Sequence, residues 1–175
     1  MTIHTDHPFL DAERVLGRQF RGRLGNRVSL WTTGELSGGA TSAAGLTVSS
    51  LLVIPGEPWR VVGFIDPDSG FADAVAATGT AVVSLLEWHH RGLADMFGGV
   101  APAPGGAFTH AEFEQTDHGP RLVDAPTWAG VTVESVVDVG WTRQLTCVAD
   151  EFSIGPDESP LHHTRGRYRS LTPPG

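Results

Sequence analysis

At 175 residues, with 40% apolar residues, 18% charged residues and a net charge of −8, the chain has the size and composition of one globular domain, not of a disordered segment. The acidic balance works against a nucleic-acid backbone, and all 12 basic residues are arginines, which excludes a P-loop lysine, a Schiff-base lysine and a Ser-Lys dyad. The lone cysteine, Cys147, excludes an intrachain disulfide and a cysteine zinc cluster, while 22 glycines and 12 prolines predict many turns and hence a β-rich fold.

Residues 1–8 are polar and read as a loose tail, without the basic and apolar regions of a secretion signal; no apolar run reaches the length of a membrane span, so a cytoplasmic protein is expected. Apolar and charged residues alternate from Phe9 to Leu24 as in a short amphipathic helix. Arg27–Thr33 reads as a first strand, and the Gly/Ser/Ala-rich segment 34–44 as a loop. From Gly45 to Ile54 the two-residue period of a strand returns. Pro55, Gly56, Glu57 and Pro58 then supply a reversal, and Trp59–Ile65 a second strand rich in β-formers. Phe71–Gly79 predicts a helix, with Ser69 placed to cap its start and Gly79 its end. The same helix start, with its free N–H groups, also suits an anion.

Thr80–Trp88 is nearly all apolar and predicts a central strand. His89–Phe97 predicts a second short helix, and the Gly/Pro-rich run 98–107 an irregular connection. Val131–Val139 alternates as a strand buried on one side; Gly140 bends the chain, Trp141–Ile154 returns, and Pro160–Leu171 is expected to close the sheet before a loose tail at 172–175. No internal repeat or linker divides the chain, so residues 1–175 form one domain.

Several chemistries are missing from the sequence. No two glycines stand two apart, so there is no GxGxxG dinucleotide fingerprint, and there is no GxSxG elbow. The histidines fall in adjacent pairs, His89 with His90 and His162 with His163. Adjacent side chains diverge on helix and strand alike, so neither pair is a ready metal chelate and no metal is expected.

The run GLTVSSLLVIPGEPWRVVGFIDPDS at 45–69, followed in order by helix, strand, helix and a Gly/Pro loop, resembles the flavin-binding segment of the flavin reductase-like family, the FMN-binding split barrels. The resemblance implies a mainly β split barrel with Greek-key-like connections and two or three short helices. It implies a flavin cofactor, FMN or FAD, with Thr47, Val48, Ser49 and Ser50 along the isoalloxazine edge. Asp66, Pro67, Asp68 and Ser69, with His90 and Arg91, would then reach the ribityl phosphate. The C-terminal RGRY segment implies His163, Arg165 and Tyr168, with Trp141, on the nicotinamide side. Also implied are NADH or NADPH as hydride donor, a homodimer, and a monooxygenase as recipient of the reduced flavin. The chemistry of the residues agrees: a flavin edge carries carbonyls and N–H groups that strand amides and small hydroxyls can match, and a phosphate takes hydroxyls, loop N–H groups and arginines.

One departure stands out. Where such reductases often carry Gly-Asp-His, this chain reads Val139, Gly140, Trp141. Tryptophan stacks on rings but does not titrate at neutral pH. Hydride transfer needs geometry more than an acid or base, so no catalytic acid or base is assigned and a reductase remains the leading expectation. The alternatives are a non-catalytic module that keeps the barrel and holds flavin, haem or deazaflavin, and a cofactor-free structural dimer.

Overall fold

The computed structural model describes residues 25–38 and 41–171; the helix expected over Phe9–Leu24 and both tails lie outside them. Seven strands form one antiparallel sheet, in the order β3 (Ala44–Val48), β2 (Ser29–Thr33), β6 (Thr80–Leu85), β9 (Trp128–Val139), β10 (Thr142–Ser153), β5 (Arg60–Ile65) and β4 (Leu51–Ile54). Register shifts between Thr146 and Cys147 and between Ala149 and Glu151 interrupt the β9–β10 ladder. Such bulges bend a strand and raise its twist, which curls the sheet into the half-barrel of a mainly β fold.

The inner face packs Trp31, Val48, Val61, Ile65, Val83, Val131, Leu145 and Cys147 into one core. Burial pushes the Cys147 thiol up to about 12, so this cysteine is packing material and not a nucleophile. Helix α1 (Gly70–Thr78) joins that core through Phe71, Ala72 and Val75, with the Phe71 ring edge-on to Trp31 at 6.4 Å. Its ends are the expected ones: the Ser69 hydroxyl accepts from Ala72 N, and Gly79 closes the helix at φ 72°, a left-handed conformation that glycine takes without steric cost. Helix α2 (Arg91–Phe97), entered through a 3-10 turn at Trp88–His90, packs on the outer side of β2 and β3. There Leu30, Leu86, Leu93, Phe97 and Leu122 form a second core.

Three expectations are corrected and one element is added. The strand read from Gly45 to Ile54 is two strands, because β3 pairs with β2 only to Val48 and β4 pairs with β5 only from Leu51; the chain crosses the barrel seam at Ser49–Ser50. Pro160–Leu171 does not close the main sheet: β11 (Leu161–Thr164) and β12 (Arg167–Ser170) pair with β1 (Asn26–Arg27) in a separate three-stranded sheet. Strand β9 is buried only in its first half, since Val136, Val137 and Val139 are all exposed on a two-stranded arm that projects past the barrel. Between the Gly/Pro connection and β9 lies a small hairpin, β7 (Phe113–Thr116) with β8 (Gly119–Leu122), which the sequence pattern did not announce.

Candidate functional site

The lapse in the ladder at Ser49–Ser50 is the centre of the candidate site. These two residues are half-buried and outside any strand, while Phe64 N donates to Ser50 O at 3.0 Å, so β5 runs directly beside them. Phe64 stands two residues before the bend at Asp66–Ser69, and the fold thus brings together the two halves read from the sequence, the hydroxyl-bearing strand end and the acidic bend. Two small hydroxyls at a break between strands have the chemistry to match the carbonyls and N–H of a flavin edge.

Thr47 and Val48 are tied into the fold by their side chains. Thr47 is fully buried and its Oγ1 donates to Ala94 O at 2.8 Å, fixing α2 against β3; Val48 points into the barrel core. Both side chains are engaged within the protein, because alternate residues of β3 serve the two cores. Ser29, opposite Val48, supports the strand end from within: its Oγ donates to Val48 O at 2.7 Å and accepts from the Trp31 indole N–H at 3.0 Å.

The bend is held by its own groups. Asp68 N donates to Asp66 Oδ1 at 2.9 Å, Ser69 Oγ donates to Asp66 O at 2.7 Å, and the same oxygen accepts from Ala72 N. Pro67 sits half-buried between them. Ser69 therefore acts as a helix cap. Ser69→Ala is expected to cost about 1 kcal/mol of stability in urea melts.

Arg143 is a neighbour that the sequence did not point to. It pairs across the ladder with Ile65, the residue before the bend, and its Nε donates to Asp138 Oδ1 at 2.9 Å. Asp138 raises its pKa, with smaller contributions from Asp73 and Asp68. Only strand register brings it there, and register is not written in local sequence. Trp141 lies one turn beyond, at the tip of the β9–β10 arm, and is 98% exposed.

The remaining expected residues have local partners of their own. Arg91 donates to Trp88 O at 3.2 Å and lies 4.9 Å over the Trp88 ring. His163 and Tyr168 meet edge-on at 5.8 Å on the small sheet, where burial, with the Asp95 carboxylate alongside, pushes the Tyr168 phenol up. Arg165 occupies the β11–β12 turn at φ 52°. Strand β11 is tied to β1, so this cluster borders α2 and not the arm that carries Trp141.

His90 and His89 meet Asp124 from the loop before β9. The ligand-type atoms of the three residues lie within 4.8 Å of one another, a spacing open to a metal. The tautomer argues otherwise. Glu87 N donates to His90 Nδ1 at 3.0 Å, so the imidazole's one lone pair is taken and its proton sits on Nε2, which stands 3.4 Å from Asp124 Oδ2 without a hydrogen bond to it. A metal-bound imidazole instead donates from its other nitrogen. With His89 Nε2 at 2.8 Å from the same oxygen, the group reads as a tie between the 3-10 turn and the β8–β9 loop. Burial first, and then the charge of His89, lower the His90 pKa to about 4. At the C-terminal end of α1, away from the bend, a polar cavity of about 440 Å³ is lined by Thr78, Thr80, Gln115, Asp117 and His118. Among the described residues no helix is long and apolar enough to cross a membrane.

Comparison with known proteins follows the same lines as the geometry. The family model described as flavin reductase like domain matches residues 21–172. The FMN reductase (NADH) RutF of Ancylobacter novellus is 29% identical over 161 residues, covering 90% of this chain and 86% of that protein. Two solved structures share the fold: the NADH:FAD oxidoreductase SgcE6 of Streptomyces globisporus, with a TM-score of 0.79, 20% identity, and 93% and 95% of the two chains covered; and the styrene monooxygenase flavin reductase of Pseudomonas putida S12, with a TM-score of 0.76, 21% identity, and 90% and 97% covered.

Proposed function

The chain belongs to the flavin reductase like domain family, and on that premise we propose that it reduces FMN or FAD with NADH, as a homodimer, and passes the reduced flavin to a monooxygenase-type partner. The observation that carries this reading is the Ser49–Ser50 segment between β3 and β4, which lies against the end of β5 and brings two small hydroxyls beside the acidic bend. A bound flavin supplies the hydride-accepting ring. The protein's share is to grip the ring edge through Ser49 and Ser50, hold that strand end rigid through Ser29 and Trp31, and present the bend to the ribityl chain. The names of relatives support the finer terms: one is an NADH-dependent FMN reductase, one an NADH:FAD oxidoreductase, and one the reductase of a styrene monooxygenase.

The homodimer is supported by an apolar sheet face. Leu52 and Ile54 on β4, Val62 and Phe64 on β5, Val148 on β10 and Val137 on β9 share the side of the sheet that faces away from the barrel core. Leu52 is 63% exposed and Val137 51%, whereas Val62 is buried. A second copy is the natural cover for a self-complementary face of this kind. A nicotinamide donor and a single buried thiol suit the cytoplasm.

The test is to mix the purified protein with NADH or NADPH and FMN, FAD or riboflavin and follow loss of reduced-nicotinamide absorbance. Turnover supports the reductase; a flavin that binds but stays oxidised in the presence of either donor favours the non-catalytic module.

A further inference from the structure

Helix α2 is held at its start by a bond that only a neutral imidazole can accept. Glu87 N donates to His90 Nδ1 at 3.0 Å, and the Glu87 side chain accepts in return from the His90 main chain. The same carboxylate accepts from Ser159 N at 2.9 Å, which ties this turn to the chain entering β11. His90 is 5% exposed, and its Nε2 is buried without a hydrogen-bond partner. The charged and titratable groups around the ring are His89 in the same turn, Asp124 from the loop before β9, and Glu87, which Arg27 reaches at 3.9 Å. His110 and Glu112 stand across the adjoining cavity. An imidazolium carries N–H on both nitrogens and has no lone pair. Protonation therefore sets Nδ1–H against Glu87 N–H and leaves a second donor unsatisfied at Nε2. Burial and the charge of His89 accordingly hold His90 down at about 4, against the pull of Asp124.

What the turn secures is the contact of α2 with β3. Thr47 Oγ1 donates to Ala94 O at 2.8 Å, and the Phe97 ring lies so close over Gly45 that a Cβ there would stand 2.6 Å from Cε1. Val48 follows Thr47, and the chain then enters Ser49–Ser50.

From this we infer that His90 is a proton-sensitive latch: acid releases the start of α2 and, with it, the end of β3 that leads into Ser49–Ser50. The latch does not depend on flavin; only its bearing on flavin binding rests on the proposed site. The closed state excludes the proton, whereas a ring freed to solvent takes it with a pKa near about 6.5. Closure is therefore fully supported above that pH. The support is lost as the pH falls towards about 4, below which both states carry the proton. Across this window the opening equilibrium rises roughly a hundredfold.

The experiment is hydrogen exchange of the full chain, read by mass spectrometry over β3 and over the 3-10 turn with α2. It is run in steps from about pH 6.5 to about pH 4 and corrected for the intrinsic pH dependence of exchange. In the wild type, opening is expected to rise in both segments together. His90→Gln keeps an oxygen to accept from Glu87 N and gains no proton in this range, so it should stay closed throughout. His89→Gln leaves the Glu87 to His90 bond in place and should still open with acid. Acid opening that persists in His90→Gln overturns the inference, as does wild-type opening that stays flat across the window. Opening of α2 with β3 unchanged overturns the part that concerns the strand. Imidazole nitrogen shifts of the wild type, read by NMR, give a check that needs no variant: a proton on His90 Nδ1 at neutral pH overturns the latch. All of these results leave the flavin reductase reading standing.

Discussion

Trp31→Ala is expected to destabilise the protein by about 3–5 kcal/mol, a large part of the roughly 5–15 kcal/mol that holds a domain of this size folded. Trp31 is fully buried at the middle of β2 and is the largest side chain of the barrel core. Its ring fills the space that Gly63 leaves open on β5: a Cβ at Gly63 would stand 2.7 Å from Trp31 Cζ2, so the two residues are cut to fit each other. The opposite side of the indole receives the edge of Phe71 from α1. Removing the ring therefore parts three elements at once and leaves a cavity that a curled sheet cannot collapse. It also strips the indole N–H from Ser29 Oγ, the group that holds Val48 O one residue before the candidate flavin segment. Urea denaturation reads the stability loss. Flavin titration of the surviving folded fraction should show weaker binding, although Trp31 itself reaches no ligand. A midpoint close to wild type would mean that the inner core is not organised around this residue.

The second large effect concerns assembly. Leu52→Glu combined with Val137→Glu should weaken self-association by about a hundredfold or more, because each copy then brings two unpaired carboxylates into a dry interface. Both positions lie on the outer sheet face and outside both cores, so the monomer should keep its fold and its melting temperature should change little. Light scattering after size-exclusion chromatography decides. Wild-type dimer with monomeric variant is the expected pair of results; a dimeric variant places the interface elsewhere on the molecule.

Much of the local structure was legible in the residues. Helix α1 was readable from cap to cap, because Ser69 and Gly79 act through bonds to groups three or four residues away. The β4–β5 reversal was readable because proline and glycine fix the backbone where they stand. The candidate site was half legible: the serine pair and the acidic bend were both named, and the fold brings them close together through β5. That Thr47 is buried and bonded to α2, and that Val48 packs in the barrel core, was not legible, because a strand pattern does not say which face meets a second core.

What the sequence by itself determined is the class of fold, the order of its elements and the two segments that meet at the site, since period, caps and turns are properties of neighbours along the chain. Only the tertiary structure decided that β3 and β4 part at Ser49, that the C-terminal hairpin joins β1 instead of the main sheet, and that Arg143 stands beside the bend already matched to Asp138. Those facts depend on strand register between residues far apart in the chain. A one-residue slip in register reverses which face every side chain occupies, and that choice is settled by packing the whole core at once.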